Sequence, residues 1–310
     1  MEKTRNTVTN GKTNAVKRYE DLDFTDDFMF CKILQNNPQL CKELTELILG
    51  KRIGGIVQVD RQESIEITAD GKGVRFDIYM EDDEQTAYDI EMQKGLFKAI
   101  PKRARYYQGM IDLNHLERGA RYEDLMPCYI IFICMENPFP EVGLHKYTFR
   151  NVCDEKPDLI LEDGAVKVIL SAEGTADDVS EEMKGFLNFL TSRQSNTDLT
   201  RRLAEEVEKA RRHERWRMEY MTLQERDERM REEGREEGRE EGREEGREEG
   251  RIETLVSLVC KQLSKGKTPQ EIAEILDMDL FVIQKICDTA ADFAPEYPIN
   301  DIMAALEEKI

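Results

Sequence analysis

The chain has 310 residues, with 65 Asp and Glu against 45 Lys and Arg, a net charge of −20 and 39% hydrophobic residues. That length suits one sizeable domain with accessories, and the longest apolar run, Tyr129 to Met135, is far short of the ~20 residues that span a bilayer. The polar start lacks the apolar stretch of a secretory signal, and the acidity excludes coating of nucleic acid by bulk attraction without excluding a local DNA site.

Residues 1–19 read as a flexible tail. A helical pattern begins at Asp23–Thr25, with Phe28, Cys31, Ile33 and Leu34 at helical spacing, and a second helix runs from Pro38 to Leu49 with Gly50 as its C-cap. The period then changes to two. Segments 64–68, 74–80 and 87–93 read as three strands joined by short turns. Pro101 opens a helix reaching about Asn114, because proline fits a first helical turn. Strands follow at 127–135, 144–153 and 166–171, then a helix over 179–190. Strands interleaved with helices indicate a mixed α/β domain over 20–195.

The character changes at residue 196. No Gly or Pro interrupts 196–233, and Leu199, Leu203, Val207, Ala210, Trp216, Tyr220 and Leu223 keep a three/four spacing. Residues 196–230 therefore read as one amphipathic helix, a coiled-coil candidate whose seam is interrupted at His213 and Asp227. Residues 231–250 repeat Arg-Glu-Glu-Gly five times. Pairs such as Glu232 with Arg235 add ~0.2–0.5 kcal/mol each, while each glycine costs ~1 kcal/mol relative to alanine. Such a helix is marginal on its own, which leaves a solvated spacer and a self-association rod both open. Within the helical module 251–310, Thr268-Pro269-Gln270-Glu271 forms a capping box, and two short helices around Asp277–Asp279 resemble a helix-turn-helix. The second carries one base, Lys285, between Asp279 and Asp288, which favours protein packing over DNA reading.

The seven cysteines are dispersed with no CxxC pair, and the three histidines are isolated, so zinc-site spacing and a nucleophilic dyad are absent. Reduced thiols and no membrane span indicate a cytoplasmic protein. Chemistry concentrates in 74–93. Alternation puts Phe76, Ile78 and Met80 opposite Arg75, Asp77 and Tyr79, and Tyr88, Ile90 and Met92 opposite Asp89, Glu91 and Gln93. Adjacent strands thus bring Asp77, Glu91 and Gln93 onto one polar face, where carboxylates can bind a hard divalent cation. A hairpin exposed on one side would show the same alternation without any metal. Residues 94–111 contain five bases and no acid, with Lys98, Lys102 and Arg105 on one helical face and Tyr106 and Tyr107 interleaved. That composition suits a phosphate backbone or, equally, a solvated face.

The segments FTDDFMFCKIL (24–34), RFDIYMED (75–82), YDIEMQK (88–94), RARYYQGMI (103–111) and YEDLMPCYIIFIC (122–134) resemble the recombination-promoting nuclease family, often labelled transposases of the PD-(D/E)XK nuclease superfamily. The resemblance covers about 20–195, and a repeat with a helical tail is typical of such proteins. It implies a restriction-endonuclease-like mixed-sheet core and Mg²⁺-dependent DNA cleavage, with Mn²⁺ as a substitute, in recombination or mobile-element biology. By position it makes Asp77 and Glu91 the catalytic metal ligands, assisted by Asp27, and puts Gln93 where the motif has Lys. Lys98, Lys102, Arg103, Arg105, Tyr106 and Tyr107 are then expected on DNA, and homo-oligomerisation in the C-terminal helices. Glutamine orients only through hydrogen bonds, where lysine brings charge. The resemblance includes other Glu-x-Gln forms, and Lys94 is expected to point to the other face. A catalytically degenerate, oligomeric DNA- or protein-binding module is the alternative.

Overall fold

The computed structural model describes residues 17–61, 64–65, 74–95, 99–116 and 119–307, which divide into a front unit ending at Gln224 and a back unit beginning at Glu225. After one 3-10 turn at Tyr19–Asp21 come α1 (Asp27–Asn36) and α2 (Pro38–Leu49). Gly50 ends α2 in the left-handed region at φ 72° and donates its N–H to the Glu46 carbonyl. Next are β1 (Ile56–Arg61), β2 (Ser64–Ile65), β3 (Val74–Arg75), β4 (Ile78–Asp82), β5 (Ala87–Gln93), α3 (Ile100–His115), β6 (Cys128–Cys134) and β7 (Lys146–Phe149). They are followed by β8 (Val152–Cys153), β9 (Lys156–Ile160), β10 (Ala165–Ser171), α4 (Glu181–Ser192), α5 (Asp198–Arg211) and α6 (Glu214–Leu263).

Six strands form one sheet in the order β1-β4-β5-β6-β10-β7. β5 and β10 both run parallel to β6, while the remaining pairs are antiparallel. Helices cover both faces. On one, Ile78, Met80, Tyr88, Ile90, Met92 and Ile131 pack against α1, α2, α4 and α5. On the other, Phe76, Tyr79, Ile130 and Phe132 pack under Ile100, Ala104 and Ile111 of α3. This is the restriction-endonuclease-like mixed-sheet architecture expected from the sequence.

Several local expectations change. The strand read over 74–80 breaks at Phe76 and Asp77, so Phe76 joins Tyr79 on the α3 face while Ile78 and Met80 keep the other. The 144–153 strand splits in two: β7 closes the main sheet and β8 pairs with β9 in a separate ribbon. Of the 64–68 strand, only Ser64 and Ile65 lie among the described residues. The helix read over 196–230 breaks at Arg212–His213, and α6 then runs unbroken through the repeat. Every repeat residue is exposed, and a Cβ on any of its glycines would meet open space.

The back unit buries Val256 and Val259 of α6 with residues of α7 (Pro269–Leu276), α8 (Leu280–Ala291) and α9 (Ile299–Glu307). Thr268 and Glu271 form the expected capping box, the Thr268 N–H donating to the Glu271 carboxylate at 2.8 Å. Around the α7–α8 turn, Ile275, Met278 and Phe281 are exposed. Among the described residues, no helix is long and apolar enough to cross a membrane.

Candidate active site

The bend that interrupts β3 and β4 is what builds the site. Freed from the ladder, the Asp77 N–H donates to Glu91 Oε1 at 2.9 Å, and the Met92 N–H donates to Asp77 Oδ2 at 3.1 Å. The Glu91 carboxylate is thus tied to the backbone of Asp77, and the Asp77 carboxylate to the backbone of Met92, the residue after Glu91. Along β5, the period of two aims Asp89, Glu91 and Gln93 at α3. All seven β5 residues are buried, because α3 roofs the face that a solvated hairpin would leave open.

Burial makes these charges expensive. The Glu91 carboxyl is pushed up to about 8 by desolvation and then by the negative charge of Asp77. Asp77 is pushed up to about 6, again by burial, with Asp27 at the start of α1 raising it further. Asp89 is 0% exposed and rises well above the ordinary carboxylate range through burial, Glu91 and Asp77. Neither Asp89 oxygen has a hydrogen-bond partner, although Glu91 is close enough to act on it. Alternation puts Asp89 on the same face as Glu91; what the sequence did not signal was its complete burial.

The positive charge comes from α3. Arg103 donates from Nη1 to Gln93 Oε1 at 2.7 Å and from Nη2 to Glu91 Oε2 at 3.0 Å and to the Tyr107 hydroxyl at 3.0 Å. Its guanidinium lies 5.3 Å from the Tyr107 ring centroid and 5.1 Å from that of Phe132. Gln93 turns its amide N–H to the Gly95 carbonyl at 3.2 Å, leaving its oxygen for Arg103.

The structure divides the six residues expected on DNA. Arg103 and Tyr107, four residues apart, turn inward to the carboxylates, while Lys102, Arg105 and Tyr106 are exposed. Lys98 lies outside the described residues. Asp27 is exposed but electrostatically coupled to Asp77. Lys94 leaves the site for the opposite face and pairs with Asp26 at the start of α1. The histidines have structural partners: His115 with Tyr79, His145 with Asp178, His213 stacked on Trp216.

A family model described as PD-(D/E)XK nuclease family transposase matches residues 22–239. The chain belongs to this family. The match takes in the sheet, the carboxylate hairpin, α3, α5 and the first part of α6. No curated protein matches the chain, and neither does any solved structure.

Proposed function

We propose that this family member is a metal-dependent DNA endonuclease that hydrolyses phosphodiester bonds in recombination or mobile-element biology, with Asp77 and Glu91 as its metal ligands. The observation that carries the reading is the linked pair of carboxylates, half-buried Asp77 and buried Glu91, Asp77 N–H to Glu91 Oε1 at 2.9 Å, beside the sheet of a nuclease family member. Among the described residues, no three Asp, Glu, His or Cys side chains converge as a ready ligand set. The donors present nevertheless fit a hard cation such as Mg²⁺, or Mn²⁺ in its place, which keeps several waters and needs only one or two carboxylates. The local charge supports this: buried Asp89 and Glu91 and half-buried Asp77 face one guanidinium. A divalent cation bound there would supply Lewis acidity and lower the pKa of attacking water.

The chain's own groups do the rest. Asp77 and Glu91 are held in register by the N–H groups of Met92 and Asp77 respectively, and exposed Asp27 adds negative potential beside Asp77. Exposed Lys102 and Arg105, with Tyr106, offer the approaching DNA backbone contacts beside the site. DNA is then the partner, self-association falls to the C-terminal helices, and the cytoplasm is the compartment. Incubating plasmid with the full chain and Mg²⁺ should yield nicked or linear product. Cleavage that survives Asp77→Ala or Glu91→Ala would sink the ligand assignment.

A second reading has a specific observation in its favour. Arg103 already occupies Glu91 Oε2, and Gln93 brings no charge, as expected of a degenerate, oligomeric DNA- or protein-binding module. Absence of metal binding by calorimetry would support it. Strict transposition would require strand joining as well as nicking.

A further inference from the structure

We infer that Arg103 is the catalytic cation of this site, delivered from α3 in place of the lysine that the Glu-x-Lys form of the motif carries on β5, and that Gln93 is its positioning residue. This rests on the nuclease reading above. Four observations converge on it.

The first is place. The guanidinium reaches the side chains of both motif positions, Glu91 and Gln93, at 3.0 and 2.7 Å. A cation there stands beside the carboxylate that would hold the metal, where charge on the attacked phosphate develops. The second is the orientation of Gln93. One amide N–H donates to the Gly95 carbonyl and the oxygen accepts from Arg103, so the side chain is oriented with its acceptor on the guanidinium and holds that donor in place. Lysine has no acceptor and could not do this; its ammonium would also meet the guanidinium head-on. Glutamine at 93 and arginine at 103 are therefore a matched exchange, which explains why the neutral residue is where a lysine is expected.

The third is rigidity combined with access. The Arg103 head is pinned by the Tyr107 hydroxyl and lies against the Tyr107 and Phe132 rings, and Tyr107 is itself braced edge-on by Phe76 at 5.4 Å. The side chain nevertheless keeps 30% of its surface exposed, so a phosphate can approach the guanidinium from outside the cluster. The fourth is that the other nearby cations are placed differently. Lys94 is paired with Asp26, and Lys102 and Arg105 face solvent. Arg103 thus does more than grip the DNA backbone; it neutralises charge at the reacting phosphate.

The test is a cycle of full-length variants: Arg103→Met, Gln93→Lys and the double variant, with Arg103→Lys as the conservative change. Single-turnover plasmid cleavage with Mg²⁺, DNA affinity by anisotropy in Ca²⁺, and melting temperature are measured on each. Arg103→Met should slow cleavage about 100-fold while DNA affinity changes only about threefold or less. Gln93→Lys alone should be slow and should lower the melting temperature. The double variant should recover both, to within about tenfold of the parent rate, and Arg103→Lys should fall between the parent and Arg103→Met. Three results would overturn the assignment while leaving the nuclease reading intact: Arg103→Met cleaving like the parent, Arg103→Met losing DNA affinity by the same factor as rate, or a double variant no faster than Arg103→Met. A parent protein that neither cleaves nor binds Mg²⁺ overturns the nuclease reading, and this inference with it. The melting-temperature arm reads the Gln93–Arg103 coupling without any metal, and strict additivity there would also overturn it.

Discussion

Two regions of this protein are rich in the same charges and treat them in opposite ways. In the repeat at 231–250, ten glutamates and five arginines lie on one exposed helix. On the roofed face of the sheet, buried Asp89 and Glu91 and half-buried Asp77 lie in the field of one arginine, which pairs with Glu91. In water a carboxylate is cheap, and its pairs contribute only tenths of a kcal/mol. Under α3 the same group is desolvated, shifted toward protonation and made dependent on a specific cation. Composition counts both regions alike. Only their surroundings separate a solvated helix from chemistry.

The sharpest way to break this contrast is to remove a buried acid and an exposed one in parallel. Asp77→Ala or Glu91→Ala should reduce metal-dependent cleavage on the order of 1,000-fold, whereas Glu236→Gln should leave it unchanged; plasmid nicking checks both. The next effect is on stability against pH in metal-free protein. Folded Glu91 holds its proton to about pH 8, whereas the unfolded chain releases it near the ordinary value of 4.5. Between those values the folded state binds more protons, so stability should fall as pH rises. Asp77 adds to the fall between 3.8 and about 6. Thermal melts from pH 4.5 to 8 should show a decline that Glu91→Gln flattens and Mg²⁺ opposes. A flat profile in the parent would show that these acids are not buried as charges.

A smaller effect is expected at Asp89. Its two partnerless oxygens carry a desolvation cost, so Asp89→Leu should stabilise metal-free protein by about 1–3 kcal/mol while slowing cleavage, as read by melting and nicking together. The smallest effect is expected in the repeat. Replacing its glycines with alanine, where a Cβ meets open space, should add about 1 kcal/mol of local helix stability each. Circular dichroism on heating checks this, and cleavage should not change.

Local signals carried much of the fold into view. Pro101 and Pro38 mark helix starts, Gly50 a helix end and Thr268 with Glu271 a capping box, because each acts through its own or adjacent backbone groups. Alternation in β5 identified which side chains share a face, hence the companionship of Glu91 and Gln93. It could not say what covers that face. The burial of Asp89, the inward turn of Arg103 and Tyr107, and the bend that frees the Asp77 N–H all depend on α3 packing across strands distant in sequence. The same limit explains the missed β1 and β9, short strands whose pairing partners define them.

The helices beyond residue 195 bear on how small the folded front unit can be made. Leu199, Leu203, Val207 and Ala210 of α5 are buried in the core that backs the sheet, and Tyr220 of α6 joins them, its hydroxyl donating to the Lys17 carbonyl at 2.8 Å. Lys32, itself buried in α1, pairs with Glu219 at 2.6 Å. A fragment truncated at the last predicted helix of the α/β domain would strip the lid from its own interior. The smallest autonomous fragment has to carry the chain through Tyr220, so the front unit ends inside a helix and not at a loop.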